Sequence, residues 1–132
     1  MKLFIPLLLL ILLSSCASST KDGTEAINRP FSSVDSERDI VISSGRTFEI
    51  VLPSNPTTGY TWELEIQNPT IIKDVSSNFV ADASGRIGVG GATTWKLRAD
   101  GQGETALTFS YHRPWEEKVS PTKVVTFTIS VR

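Results

Sequence analysis

From residue 47 to the C-terminus, apolar and polar positions alternate with a period of two. Phe48, Ile50 and Leu52 share one face of such a run, with Thr47, Glu49 and Val51 on the other. Trp62, Leu64 and Ile66 alternate with Thr61, Glu63 and Glu65, and Trp95, Leu97 and Ala99 with Lys96, Arg98 and Asp100. Leu107, Phe109 and Tyr111 alternate with Ala106, Thr108 and Ser110, and Val125, Phe127, Ile129 and Val131 with Thr126, Thr128 and Ser130. Successive side chains of a strand point to opposite faces, so the pattern predicts strands with one buried and one wet side. Antiparallel sheets have that character. Residues 39–42 predict a short opening strand and residues 71–80 one more. No sustained 3.6-residue apolar period competes with this reading.

About seven short strands punctuated by Gly, Pro and Asn predict an all-β, two-sheet antiparallel sandwich. Trp62 and Trp95 are its expected centrepieces, because large aromatic side chains dominate small cores. Gly101-Gln102-Gly103 is expected to be a turn. Residues 37–132 make one small domain whose closing strand runs to Arg132.

Ahead of the domain the pattern changes. Lys2 precedes a nearly unbroken apolar run over residues 3–13, closed by Ser14, Ser15 and Cys16. About 10 apolar residues are too few to span a bilayer, which takes roughly 20. Residues 1–15 are therefore expected to be a cleaved export signal. The Leu13-Ser14-Ser15-Cys16 ending resembles a bacterial lipobox, which implies a lipid on Cys16 and membrane attachment through it. Ala17, rather than aspartate, follows; by resemblance to lipoprotein sorting this favours the outer membrane. The expected location is the bacterial cell envelope, at the periplasmic face of the outer membrane or the cell surface. Residues 16–36 then form a polar, aperiodic tether with a mean reach of roughly 25 Å. Whether Phe31 within it docks on the domain is left open by the sequence.

Charge and candidate chemistry narrow the function. The chain carries 13 basic and 14 acidic side chains, and 12 basic against 14 acidic once residues 1–15 and their Lys2 are removed. That balance offers no basic stripe for nucleic acid. Cys16 is the single cysteine; lipidated, it leaves no thiol nucleophile and no disulfide. His112 is the single histidine, at a strand end, and no Gly-x-Ser-x-Gly elbow accompanies it. A metal site would have to rest on carboxylates, and Glu116-Glu117 and Glu63/Glu65 form no dense oxygen-ligand loop. Glu63 and Glu65 fit the solvated face of a strand. Neither catalytic residues nor a metal nor a cofactor is expected, and the chain is not read as an enzyme.

Three stiffened segments remain where strand-like runs stop: Asn55-Pro56-Thr57-Thr58-Gly59-Tyr60, Gly88-Val89-Gly90-Gly91 and Arg113-Pro114-Trp115. Pro56 fixes its own φ and pushes Asn55 toward extended geometry, and Gly59 can supply a positive φ. Thr57 and Thr58 are stiff at χ1. Such a tip is ordered before it binds, which is a general source of affinity. Gly90 and Gly91 allow close backbone approach, and Trp115 in a charged context has the character of an interface anchor. Asn68-Pro69-Thr70 repeats the first tripeptide without the Thr-Gly ending, so Asn-Pro-Thr alone is turn chemistry and any specificity lies in the longer motif.

In this order the three segments resemble the signature loops of the chagasin family, inhibitors of papain-like cysteine proteases. The resemblance extends over residues 38–132. It implies an immunoglobulin-like sandwich whose three loops enter a protease cleft as a wedge and occlude it reversibly and non-covalently. By that resemblance Thr57 and Thr58 would sit at the catalytic centre, with Thr57 closest. Gly90 and Gly91 would pair their backbone along the cleft, and Trp115 would pack on the opposite side. The inhibitor would act as a monomer. A different class fits the same loops: an envelope-anchored immunoglobulin-like adhesion or assembly module with a non-protease partner.

Overall fold

A computed structural model describes residues 29–86 and 88–132. Cys16, the leader and the tether up to residue 28 lie outside the described residues. Seven strands follow in order: β1 (Ile40–Ile42), β2 (Thr47–Ser54), β3 (Thr61–Ile66), β4 (Ile72–Ala81), β5 (Gly91–Ala99), β6 (Gly103–His112) and β7 (Lys123–Val131). They form a four-stranded sheet in the order β1-β7-β6-β3 and a three-stranded sheet in the order β2-β5-β4. Every pairing is antiparallel except β1 with β7. The expected all-β sandwich of about seven strands is thus the observed one.

The period-two pattern places the core. Phe48, Ile50 and Leu52 of β2 are buried, as are Trp95, Leu97 and Ala99 of β5. The facing sheet supplies Leu107, Phe109, Phe127, Ile129 and Val131. Phe109 is the hub, edge-on to Trp95 at 4.7 Å and to Phe127 at 5.7 Å. Each such side chain, fully buried, contributes about 1.5–3 kcal/mol relative to exposure.

Three expectations change. Trp62 is not a centrepiece: β3 lies at a sheet edge, and its Trp62, Leu64 and Ile66 are only half-buried. The Trp62 indole instead donates to Pro53 O at 2.8 Å and packs on Tyr111 at 4.7 Å. Second, β5 starts at Gly91, so that glycine is a strand residue, paired with Ser54 on one side and Ala81 on the other.

Third, folded structure begins before residue 37. Phe31 is buried, edge-on to Phe48, and makes a parallel bridge to Ile50. Its N–H donates to Glu49 O and its carbonyl accepts from Val51 N–H, both at 2.8 Å. The segment covers the otherwise open edge of β2, a common protection for unpaired strands. A 3-10 turn, Ser33–Glu37, follows, fastened by the buried Asp35. Its carboxylate accepts from Arg29 (2.8 and 3.0 Å), Arg38 (2.7 and 3.2 Å) and Ser32 N–H (2.9 Å). The Arg29 bond, then that of Ser32, holds the Asp35 carboxyl well below the usual carboxylate range against the opposing effect of burial.

Candidate functional site: three loops at one end

Strand register brings the three segments together. Ser54, Gly91 and Ala81 stand side by side at one end of the smaller sheet. This joins loop 1 (residues 55–60) to loop 2 (residues 82–90). In the larger sheet Thr61 opposes His112 and Tyr111 opposes Lys123. Loop 3 (residues 113–122) therefore leaves β6 beside the end of loop 1.

Loop 1 is ordered by its own residues. Pro56–Thr58 forms a 3-10 turn, with proline in the first turn where its missing N–H is harmless. Gly59 ends the turn at φ 81 and ψ −4, the left-handed conformation expected of it. The Asn55 carbonyl accepts from Thr58 N–H at 3.2 Å and Thr58 Oγ1 at 2.7 Å. Pro56 O accepts from Gly59 N–H at 3.0 Å. Thr57 Oγ1 donates to Asn55 Oδ1 at 2.6 Å. Both threonines are exposed, with their hydroxyl protons already committed inward.

Loops 2 and 3 close on opposite flanks of loop 1. On one side Asn55 Nδ2 donates to Gly88 O at 3.3 Å. A Cβ on Gly90 would strike Ser54 O and lie 3.0 Å from Asn55 Cβ, so only glycine permits this approach. On the other side Arg113 Nε donates to Thr58 O at 3.2 Å, and the guanidinium lies 4.5 Å over the Tyr60 ring. Arg113 also pairs with Glu116 at 3.2 Å. Trp115 is 67% exposed, yet its indole rests on Gly59, where a Cβ would collide with Cη2.

Most of the residues singled out in the sequence meet at this tip. Gly91 differs. Strands flank it on both sides, and a Cβ there would strike Val80 O, so its role is to let β4 and β5 close up. Gly90 O is occupied by Asp82 N–H at 3.0 Å. Pro114 is exposed in the turn that carries Trp115. His112 Nε2 lies 2.8 Å from Glu63 Oε2 on the neighbouring strand, an arrangement without a nucleophile. Among the described residues no group of three or more His, Cys, Asp or Glu could hold a metal ion.

Sequence reasoning missed Tyr111, which it took as an inward-facing strand residue. Its hydroxyl accepts from Asn55 N–H at 3.1 Å and its ring stacks on Tyr60 at 5.3 Å. The available signal was a tyrosine at the end of a strand, where an aromatic body can be buried while its hydroxyl finds a partner.

Comparison with known proteins identifies the family and the fold. The family described as Chagasin family peptidase inhibitor I42 matches residues 41–131. Amoebiasin-1 of Entamoeba histolytica is 34% identical over 96 residues, which is 70% of this chain and 86% of that protein. Chagasin of Trypanosoma cruzi is 31% identical over 80 residues, 58% of this chain and 73% of that protein. The crystal structure of the cysteine protease inhibitor EhICP2 from Entamoeba histolytica shares the fold. Its TM-score is 0.69 at 22% identity, over 79% of this chain and 94% of that one. On this evidence the chain belongs to the chagasin family, and it is a peptidase inhibitor rather than an enzyme.

Proposed function

We propose that the domain inhibits papain-like cysteine proteases reversibly, as a monomer, by inserting loop 1 into the active-site cleft with loops 2 and 3 against its walls. Thr57 and Thr58 then lie nearest the catalytic cysteine and histidine, and Trp115 packs on the cleft rim. One observation carries the reading: the exposed tip is a hydrogen-bonded turn with most of its carbonyls already engaged inside the loops. The carbonyls of Asn55, Pro56 and Thr58 all accept hydrogen bonds from within the loops. Pro56 and Thr58 sit in a 3-10 turn instead of an extended segment, and Asn55 caps it. Cleavage needs a carbonyl held in attack geometry and polarised by oxyanion-hole donors. At Asn55, Pro56 and Thr58 both conditions require dismantling this network, which favours occupation of the cleft over cleavage.

The test is titration of residues 17–132 against papain and several related proteases. Inhibition at micromolar concentration or below is expected, with the inhibitor recovered uncut after prolonged incubation. No inhibition of any of them would sink the proposal. Trp115→Ala is expected to weaken inhibition by about 2 kcal/mol, or ~30-fold, as loss of an aromatic anchor does. An unchanged constant would remove Trp115 from the interface.

We also propose that a lipid on Cys16 holds the inhibitor at a bacterial envelope membrane. The apolar leader ending at Cys16 supports this. Cys16→Ser should move the protein from the membrane to the soluble fraction, and unchanged fractionation would refute the anchor.

A further inference from the structure

We propose that Tyr111 is a positioning residue for inhibition: without touching the protease, it sets the relative placement of all three loops. The inference rests on the inhibitory reading above. Tyr111 is buried at the end of β6, under the tip. Its hydroxyl accepts the Asn55 N–H at 3.1 Å, which fixes the first residue of loop 1. Asn55 passes that constraint on, to Thr57 and Thr58 through its side-chain and main-chain oxygens and to loop 2 through Gly88 O. The Tyr111 ring stacks on Tyr60, whose ring also lies 4.5 Å from the Arg113 guanidinium of loop 3. Finally, the Tyr111 carbonyl accepts from Thr122 N–H at 2.9 Å and Thr122 Oγ1 at 3.2 Å, closing loop 3 at its far end. One residue thereby meets loops 1 and 3 directly and loop 2 through a single intermediary.

The fold contains its own control. At the opposite end of the sandwich, the second Asn-Pro-Thr turn is held in the same way: Asn68 N–H donates to the buried Thr105 hydroxyl at 2.9 Å. Both hydroxyls belong to β6. Removing either deletes one hydroxyl bond to an asparagine N–H, but only the Tyr111 bond underlies the loops.

The experiment compares Tyr111→Phe with Thr105→Val in the 17–132 domain. It measures thermal stability, the inhibition constant for papain, and amide exchange at Asn55 and Asn68 in the free protein. Tyr111→Phe is expected to keep the fold, speed exchange at Asn55, and weaken inhibition roughly five- to tenfold, the scale of one hydrogen bond. Thr105→Val is expected to lower stability by a similar amount, speed exchange at Asn68, and leave inhibition unchanged. Equal weakening by both variants, or none by Tyr111→Phe, would overturn the proposal. Unchanged exchange at Asn55 would overturn it independently of any protease. If the unaltered domain inhibits no protease, the inhibitory reading fails by itself, and the exchange data still report whether Tyr111 holds loop 1.

Discussion

Gly59→Ala tests whether loops 1 and 3 act as one surface. Gly59 has φ 81, and its N–H bonds to Pro56 O at 3.0 Å, so the left-handed conformation is fixed by the turn. An alanine there costs about 1–2 kcal/mol, equivalent to a melting-point drop of roughly 5–10 °C in a domain of this size. The added Cβ would also collide with Trp115 Cη2 and lie 3.0 Å from Cζ2. Since the indole is 67% exposed, it can swing aside without disturbing the core. The steric conflict is then resolved at the expense of the proposed interface: the indole is displaced, and inhibition is expected to fall by about 2 kcal/mol, or ~30-fold. The assay is a double-mutant cycle with Trp115→Ala, read as inhibition constants for papain. If Gly59→Ala acts by moving the indole, adding it to Trp115→Ala changes little, and the double variant resembles Trp115→Ala alone. Multiplying effects, near 1,000-fold together, would mean that the methyl meets the protease directly. An unchanged constant for Gly59→Ala alone would refute the packed-indole explanation.

Three further outcomes follow from the fold. Phe31→Ala should lower stability by about 3 kcal/mol in urea unfolding, as truncation of a buried aromatic does; inhibition should persist wherever the domain remains folded. Asp35 should contribute stability that acid removes. Its folded carboxyl binds a proton more weakly than the unfolded one, so the contribution is complete above the unfolded value of about 4 and is lost as pH falls below it. The stability gap between the native chain and Asp35→Asn should accordingly narrow from pH 5 toward pH 2, and a gap independent of pH would refute the assignment. Gly91→Ala should destabilise the domain by about 2 kcal/mol, because its Cβ would strike Val80 O and lie 2.8 Å from Ala81 Cα, both backbone; equilibrium unfolding checks this.

The two-sheet fold could be read wherever burial on one side imposed a period of two, as it does in β2, β5, β6 and β7. It was faint in β4, where Ile72 alone is buried and a bulge between Asp74 and Ser76 breaks the register. An edge strand that buries little imposes little pattern. Phe31 left no periodic trace because one aromatic and two backbone bonds suffice to dock its segment. Trp62 was misplaced because alternation reports which face a residue takes, while the depth of that face depends on the strand's position in the sheet. At the loops, Pro56 and Gly59 were readable from backbone restriction alone. The Tyr111 bond to Asn55 spans 56 residues, and only the completed register brings those atoms together.

The paired Asn-Pro-Thr turns separate the chemistry of a turn from the contacts that join one loop to another. Thr57 Oγ1 bonds to Asn55 Oδ1 at 2.6 Å, and Thr70 Oγ1 bonds to Asn68 Oδ1 at 2.7 Å. In each turn the asparagine N–H reaches a hydroxyl on β6. Up to the first threonine the two turns thus share these bonds. They diverge at the next position: Ile71 drives the second turn into the core, whereas Thr58 keeps the first exposed. Thr58 O then takes the Arg113 bond, and Gly59 makes room for Trp115. Asn-Pro-Thr builds a similarly bonded corner at both places in this chain. The Thr58-Gly59 ending turns that corner into a joint between loops, so changes at Gly59 or Arg113 should weaken inhibition in ways that changes at the 68–70 turn do not.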